Sequence, residues 1–89
     1  MAKKRRKLNK DFERKIYSSK KNVELVLAKI YDIDDEDIQK EYISGFNRVL
    51  YLYDQLKEDY DQLGINDNSQ ELLTNYHNAF NLFESEFEI

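Results

Sequence analysis

Residues 35–63 read DEDIQKEYISGFNRVLYLYDQLKEDYDQL. Within them Tyr42, Phe46, Val49, Tyr53, Leu56, Tyr60 and Leu63 recur at alternating steps of four and three, an unbroken apolar stripe at α-helical spacing. A helix over these residues would be about 43 Å long at about 1.5 Å per residue. Ile43 and Leu50 widen the stripe on one flank and Leu52 on the other. The apolar arc then covers about half the helical wheel, wider than the ~100° that an ordinary surface helix needs. A helix of that kind meets two neighbours at once, which places it at the centre of the fold. Gly45 interrupts the pattern, at a cost of about 1 kcal/mol relative to Ala. A close approach by another helix, or a slight bend beside Ser44, would account for it.

The segments on either side supply the neighbours. Upstream, Leu8, Phe12, Ile16, Val23, Val26, Leu27 and Ile30 collect on one side at 100° per residue. Lys7, Lys10, Arg14 and Lys21 collect on the other, so an amphipathic helix is expected over about 8–31. Ser18-Ser19 is its one candidate break, and Ser19 occupies a stripe position where a larger side chain would fit. Residues 31–34 read as a connection, with Asp34 as N-cap of the central helix and Asp35, Glu36 and Asp37 in its first turn, where the helix dipole favours acids. Gly64 is the expected left-handed cap at its far end. Downstream, Asn68 with Glu71 three residues on matches a capping box, and Ile65 could staple onto Leu72. Leu73, Tyr76, Phe80, Phe83 and Phe87 then predict a helix over 68–87.

The expected fold is all-α: an antiparallel three-helix bundle with a long central helix, one domain over residues 8–89, and a basic flexible tail over residues 1–7. Its core takes the stripe residues of the central helix with Leu50. To these it adds Leu8 through Ile30 of the first stripe, and Leu72, Leu73, Tyr76, Phe80 and Phe83. The central helix is expected to outrun the third by roughly ten residues, leaving apolar surface that a homodimer would cover.

Composition narrows the functional classes. Eighty-nine residues make one small domain. With no Pro and Gly only at 45 and 64, long helices are favoured over sheets. The absence of Cys excludes disulfides and thiolate metal sites. No apolar run is long enough to span a bilayer. The N-terminus lacks the apolar core of a signal peptide, and Ala2 stands where N-myristoylation needs Gly, so a cytoplasmic location is expected. The Lys, Ile, Asn, Tyr and Asp content suits an AT-rich bacterial or phage genome. Residues 1–22 hold ten Lys/Arg and two acids, +8, while residues 23–89 hold four Lys/Arg and sixteen acids, −12. Such asymmetry signals either a tail for an anionic partner or attraction between segments of one chain.

The basic run Lys3, Lys4, Arg5, Arg6, Lys7, continued by Lys10, Arg14 and Lys21, suits phosphate backbones, a nuclear address or an anionic membrane. It also suits a solubilising tail and a solvated face. Asp32, Asp34 and Glu36 begin like an EF-hand, but Asp37 stands where its Gly is required and Ile43 where its Glu is, so capping is the better reading. Asp54, Glu58, Asp59 and Asp61 with Tyr51 form an acidic face that could dock on a basic protein. The third helix carries a mostly uncharged outer face of Thr74, Asn75, Asn78, Asn81, Leu82 and Ser85. His77 is the sole histidine and makes no metal site or catalytic set. Ser69-Gln70-Glu71-Leu72 is similar to four residues of the Ser-Gln-Glu-Leu-Asp signature of the small sporulation-type aspartyl-phosphate phosphatases. Leu73 replaces that family's carboxylate, so its activity is not carried over.

The expected role is therefore a non-enzymatic protein–protein interaction module without cofactor or metal: an adaptor, inhibitor, antitoxin-like protein or assembly factor. Tyr51, Asp54, Glu58, Asp61, Asn78 and Leu82 are its candidate contacts. The alternative is a nucleic-acid-binding accessory protein acting through Lys3, Lys4, Arg5, Arg6, Lys7, Lys10, Arg14 and Lys21.

Overall fold

The computed structural model describes residues 8–87. They form α1 (Lys10–Tyr31), α2 (Glu36–Leu63) and α3 (Asp67–Phe87), with no strand among the described residues. The expected basic tail, residues 1–7, lies outside them.

Each helix start has a local cause. Asn9 caps α1, its side chain accepting the Phe12 N–H at 3.0 Å. α1 runs unbroken through Ser18-Ser19, and the Ser19 hydroxyl is satisfied within the helix by donating to the Lys15 carbonyl at 2.8 Å. The N-cap of α2 is Asp35 and not Asp34: Asp35 Oδ1 accepts the N–H groups of Asp37 and Ile38 at 2.9 and 3.1 Å. The cap of α3 also lies earlier than the sequence suggested. Asn66 and Ser69 bond reciprocally, each side-chain oxygen accepting the other's backbone N–H at 2.9 Å. Asn68, expected in that role, instead donates to Asp59 Oδ1 at 3.1 Å. Gly64 ends α2 with φ 73° and its N–H on the Tyr60 carbonyl at 2.8 Å. Its ψ of −159° lies outside the left-handed helical well, so the chain leaves α2 in a conformation open chiefly to Gly.

Short connections over residues 32–35 and 64–66 turn the chain back on itself twice, giving an antiparallel three-helix bundle. α2 packs most extensively on α3 and also on α1. Ile30, Phe46, Val49, Leu56 and Tyr76 are almost wholly buried. The Phe46 ring meets Phe83 at 4.8 Å and Phe80 at 6.1 Å between centroids. Two expected core residues are not in the core: Leu8 is 58% exposed and Leu63 49%, because each sits at a helix end beyond its neighbour's cover. Leu52 and Ala79 take core places not expected of them. α2 has 28 residues and α3 has 21, so the mismatch is smaller than expected. Gly45 is explained by close approach: a Cβ there would run into the ring of Phe87. That ring stacks on Phe83 at 4.8 Å and meets Tyr42 edge-on at 4.9 Å.

Three tyrosine hydroxyls fasten the three helix pairs. Tyr60 of α2 donates to Glu13 Oε1 at 2.8 Å and accepts the Asn9 N–H at 3.2 Å, at the start of α1. Tyr42 of α2 donates to the Phe87 carbonyl at the end of α3 at 3.0 Å. Tyr76 of α3 donates to the Ser19 carbonyl of α1 at 3.1 Å. Ser19 is buried at that crossing, so the space left by its small side chain is taken by α3. No buried side-chain nitrogen or oxygen lacks a partner among the described residues.

Burial pushes the Tyr76 hydroxyl up to about 12, partly opposed by its bond to Ser19. The unfolded chain, with an ordinary value of 10.0, loses this proton first. The stabilisation is therefore complete below about pH 10 and is lost as pH rises toward about 12. Tyr76→Phe should cost about 1 kcal/mol at neutral pH, the worth of one buried hydrogen bond. In urea titrations followed by circular dichroism, it should also flatten the loss of stability across that alkaline window.

Candidate functional site

Tyr51, Asp54, Glu58 and Asp61 follow at steps of three, four and three along α2, so one face carries all four, turned away from the core. Tyr51 is 63% exposed, with no ring partner among the described residues. Lys57 borders this face and bonds Asp61 Oδ2 at 3.0 Å. That carboxylate raises the Lys57 pKa, first through the hydrogen bond and then through its charge. Asp59, placed in the same acidic group by sequence, serves another purpose. Its carboxylate accepts the side-chain amides of Asn66 and Asn68, tying the end of α2 to the turn before α3.

The neutral face lies on α3. Asn78 and Leu82 are one turn apart and exposed, Leu82 at 58%. They look out from a different helix, opposite its own buried row of Tyr76, Ala79 and Phe83. The two candidate faces are thus separate surfaces and do not build one site.

A third face lies on α1. Lys10, Arg14 and Lys21 are exposed along its outer side. Among the described residues Arg14 has only a long contact with Asp11, 3.8 Å between largely exposed side chains, a geometry worth little in water. Tyr17 was not singled out from the sequence, yet it is 59% exposed in the middle of this row. Lys21 Nζ lies 5.4 Å from the Tyr17 ring centroid, a cation–π contact. The signal was present: Tyr17 sits three residues after Arg14 and four before Lys21, beside the stripe rather than on it. Lys3, Lys4, Arg5, Arg6 and Lys7 fall outside the described residues.

Grooves follow the helix seams, and two of them bear on the candidate residues. One, of about 400 Å³ between α1 and α2, is lined by Leu8, Ile16, Tyr17, Tyr53, Lys57 and Asp61 among others. The other, of about 300 Å³ between α1 and α3, places His77 beside Asn81 and Glu84, facing Leu25 and Lys29. No Ser, Thr or Cys lines this second groove, so His77 has no hydroxyl or thiol there to activate. The two buried serines, Ser19 and Ser69, are held in structural hydrogen bonds. Among the described residues no group of three His, Cys, Asp or Glu side chains is placed to hold a metal. No helix among them is long and apolar enough to cross a membrane.

No protein-family model, curated protein or solved structure matches this chain. Function must therefore be argued from the three exposed faces.

Asp61 of the acidic face is engaged by Lys57, whereas Tyr51, Asp54 and Glu58 are exposed and make no side-chain hydrogen bond among the described residues. Asp54→Asn, Glu58→Gln and Tyr51→Ala should each change unfolding free energy by less than about 0.5 kcal/mol, as surface substitutions do. Urea titration checks this, and a loss several times larger would show the face to be structural.

Proposed function

We propose that this chain is a small non-enzymatic interaction module, an adaptor, inhibitor, antitoxin-like protein or assembly factor of a bacterial or phage cytoplasm. It docks through the acidic face of α2 on a basic surface of a partner protein. The observation that carries this reading is Tyr51. A large amphipathic ring, 63% exposed on the helix that packs against both others, is followed at about one, two and three turns by Asp54, Glu58 and Asp61. Exposed tyrosines supply contact area at low entropic cost, and carboxylates around them choose a cationic partner and speed the encounter. Asn78 and Leu82 on α3 offer a second contact for a partner that wraps the bundle, or for another protein. Ile38 and Leu63, exposed at the two ends of α2, would be covered in a homodimer.

Capture from native host lysate should recover one protein in stoichiometric amount. Tyr51→Ala combined with Glu58→Lys should reduce that recovery at least tenfold, and raised salt should weaken it. Recovery of nucleic acid alone would overturn the reading.

A second reading rests on α1. Lys10, Arg14 and Lys21 share an exposed face with Tyr17, a combination that suits a phosphate backbone with a base available for stacking. The chain would then be a nucleic-acid-binding accessory protein acting through its N-terminal segment. Titrated against random duplex and single-stranded DNA, it should bind in the micromolar range at low salt, with affinity falling steeply as salt rises. Deleting residues 1–7 should abolish that binding. No binding at low salt ends this reading.

A further inference from the structure

Lys10, Arg14, Tyr17 and Lys21 follow one another at steps of four, three and four, so they fall within about 60° of one another around α1. All four are exposed, opposite the buried row of Phe12, Ile16, Val23 and Ile30. From its first cation to its last the row is about 16 Å long. Tyr17 stands in the middle, 59% exposed, with Lys21 Nζ over its ring at 5.4 Å from the centroid.

The acids of the same turns do not cancel these cations. Glu13 is turned toward α2, where it accepts the Tyr60 hydroxyl at 2.8 Å. Asp11 comes no nearer to Arg14 than 3.8 Å, and both side chains are largely exposed. A phosphate can replace it at little cost.

The ring also borders a cleft. Tyr17 lines a surface hollow with Lys10, Arg14 and Ser18 on one side. On the other it lines the α1–α2 groove of about 400 Å³, a volume within the range of ligand clefts. Ile16 and Tyr53 give that groove apolar walls, and Lys20, Lys57 and Asp61 bring polar groups to it.

Spaced cations with an aromatic ring at their centre match a phosphate backbone that carries unpaired bases. The cations neutralise phosphates, and the ring takes the face of a base. A duplex fits less well. Its base faces are already stacked on each other, and its second strand would meet the acids of α2, Asp61 among them, across the groove. An anionic membrane also fits less well. Tyr17 is the one large apolar side chain exposed between residues 10 and 21, too little to insert into a bilayer.

We infer that the outer face of α1 is a site for single-stranded nucleic acid. Lys10, Arg14 and Lys21 take the phosphates of a few successive nucleotides. One base stacks on Tyr17, on the ring face away from Lys21, with its edge toward the α1–α2 groove. The site rests on the nucleic-acid reading above and adds to it the strandedness of the ligand and a place on the folded bundle. It leaves the acidic face of α2 to a protein partner.

The test titrates the full chain against a dye-labelled oligothymidylate of about a dozen nucleotides, followed by fluorescence anisotropy, with its duplex with oligoadenylate as the comparison. At low salt the single strand should bind more tightly than the duplex. Tyr17→Leu keeps an apolar side chain beside the groove and should weaken single-strand binding about tenfold, the worth of one stacked base. Tyr17→Phe should bind like the native chain. Arg14→Gln and Lys21→Gln should each reduce the slope of log affinity against log salt by about 0.7, the loss of one single-strand phosphate contact. Circular dichroism should show all four variants folded, because these positions are exposed. Binding that Tyr17→Leu leaves unchanged, or duplex bound as tightly as single strand, overturns the site while the nucleic-acid reading stands on cations elsewhere in the chain. No binding of either probe at low salt overturns both. Binding to phosphatidylserine vesicles and to neither oligonucleotide overturns the site in favour of a membrane surface.

Discussion

The width of the apolar arc on α2 is the constraint on which this structure depends. Phe46, Val49, Leu52, Tyr53, Leu56 and Tyr60 are buried across more of the helix circumference than one neighbour can cover. α1 and α3 must therefore both lie on α2, and the short connections leave an up-down-up path as the means of bringing them there. Neither outer helix could bury its own stripe without α2. An 89-residue chain of this kind has little stability to spare.

So wide an arc filled with tyrosines instead of leucines brings hydroxyls to the seams, and the fold turns each into a fastener. Tyr60 reaches Glu13 and Asn9, Tyr42 the end of α3, and Tyr76 the middle of α1. A phenol in this setting has its ring in the core and its oxygen at a partner. Register between helices is thereby fixed more narrowly than interdigitating aliphatic side chains would fix it, because a hydrogen bond fails within a fraction of an ångström. The buried Ser19 belongs to the same design: a larger residue would displace Tyr76 from its carbonyl.

The three helices, their order and the central place of α2 were legible in the sequence because periodicity of three and four survives any detail of packing. The caps were not, since Asp32, Asp34 and Asp35, or Asn66 and Asn68, offer the same chemistry at neighbouring positions. Selection among them depends on where the helix axis settles. Leu8 and Leu63 look like core on a wheel, but a wheel has no ends and carries no record of where a neighbour stops. Ser19 reads as a defect until the helix that fills the gap is known. On the surface, the spacing of Tyr51, Asp54, Glu58 and Asp61 was enough to place them on one face. Tyr17 was passed over because aromatic residues are first assigned to the core, and only its exposure beside Lys21 assigns it elsewhere.

Charge is arranged along the bundle as well as around it. Antiparallel α1 and α2 bring the start of the one against the end of the other, so the cation-rich first turns of α1 lie beside the acid-rich last turns of α2. The helix dipoles oppose in the same sense, the positive start of α1 beside the negative end of α2. The topology that buries the apolar stripes also sets the Lys10, Arg14 and Lys15 end of α1 beside the Glu58, Asp59 and Asp61 end of α2. A surface ion pair is worth little alone. The net charge of −4 understates this separation, since residues 1–22 carry +8 and residues 23–89 carry −12.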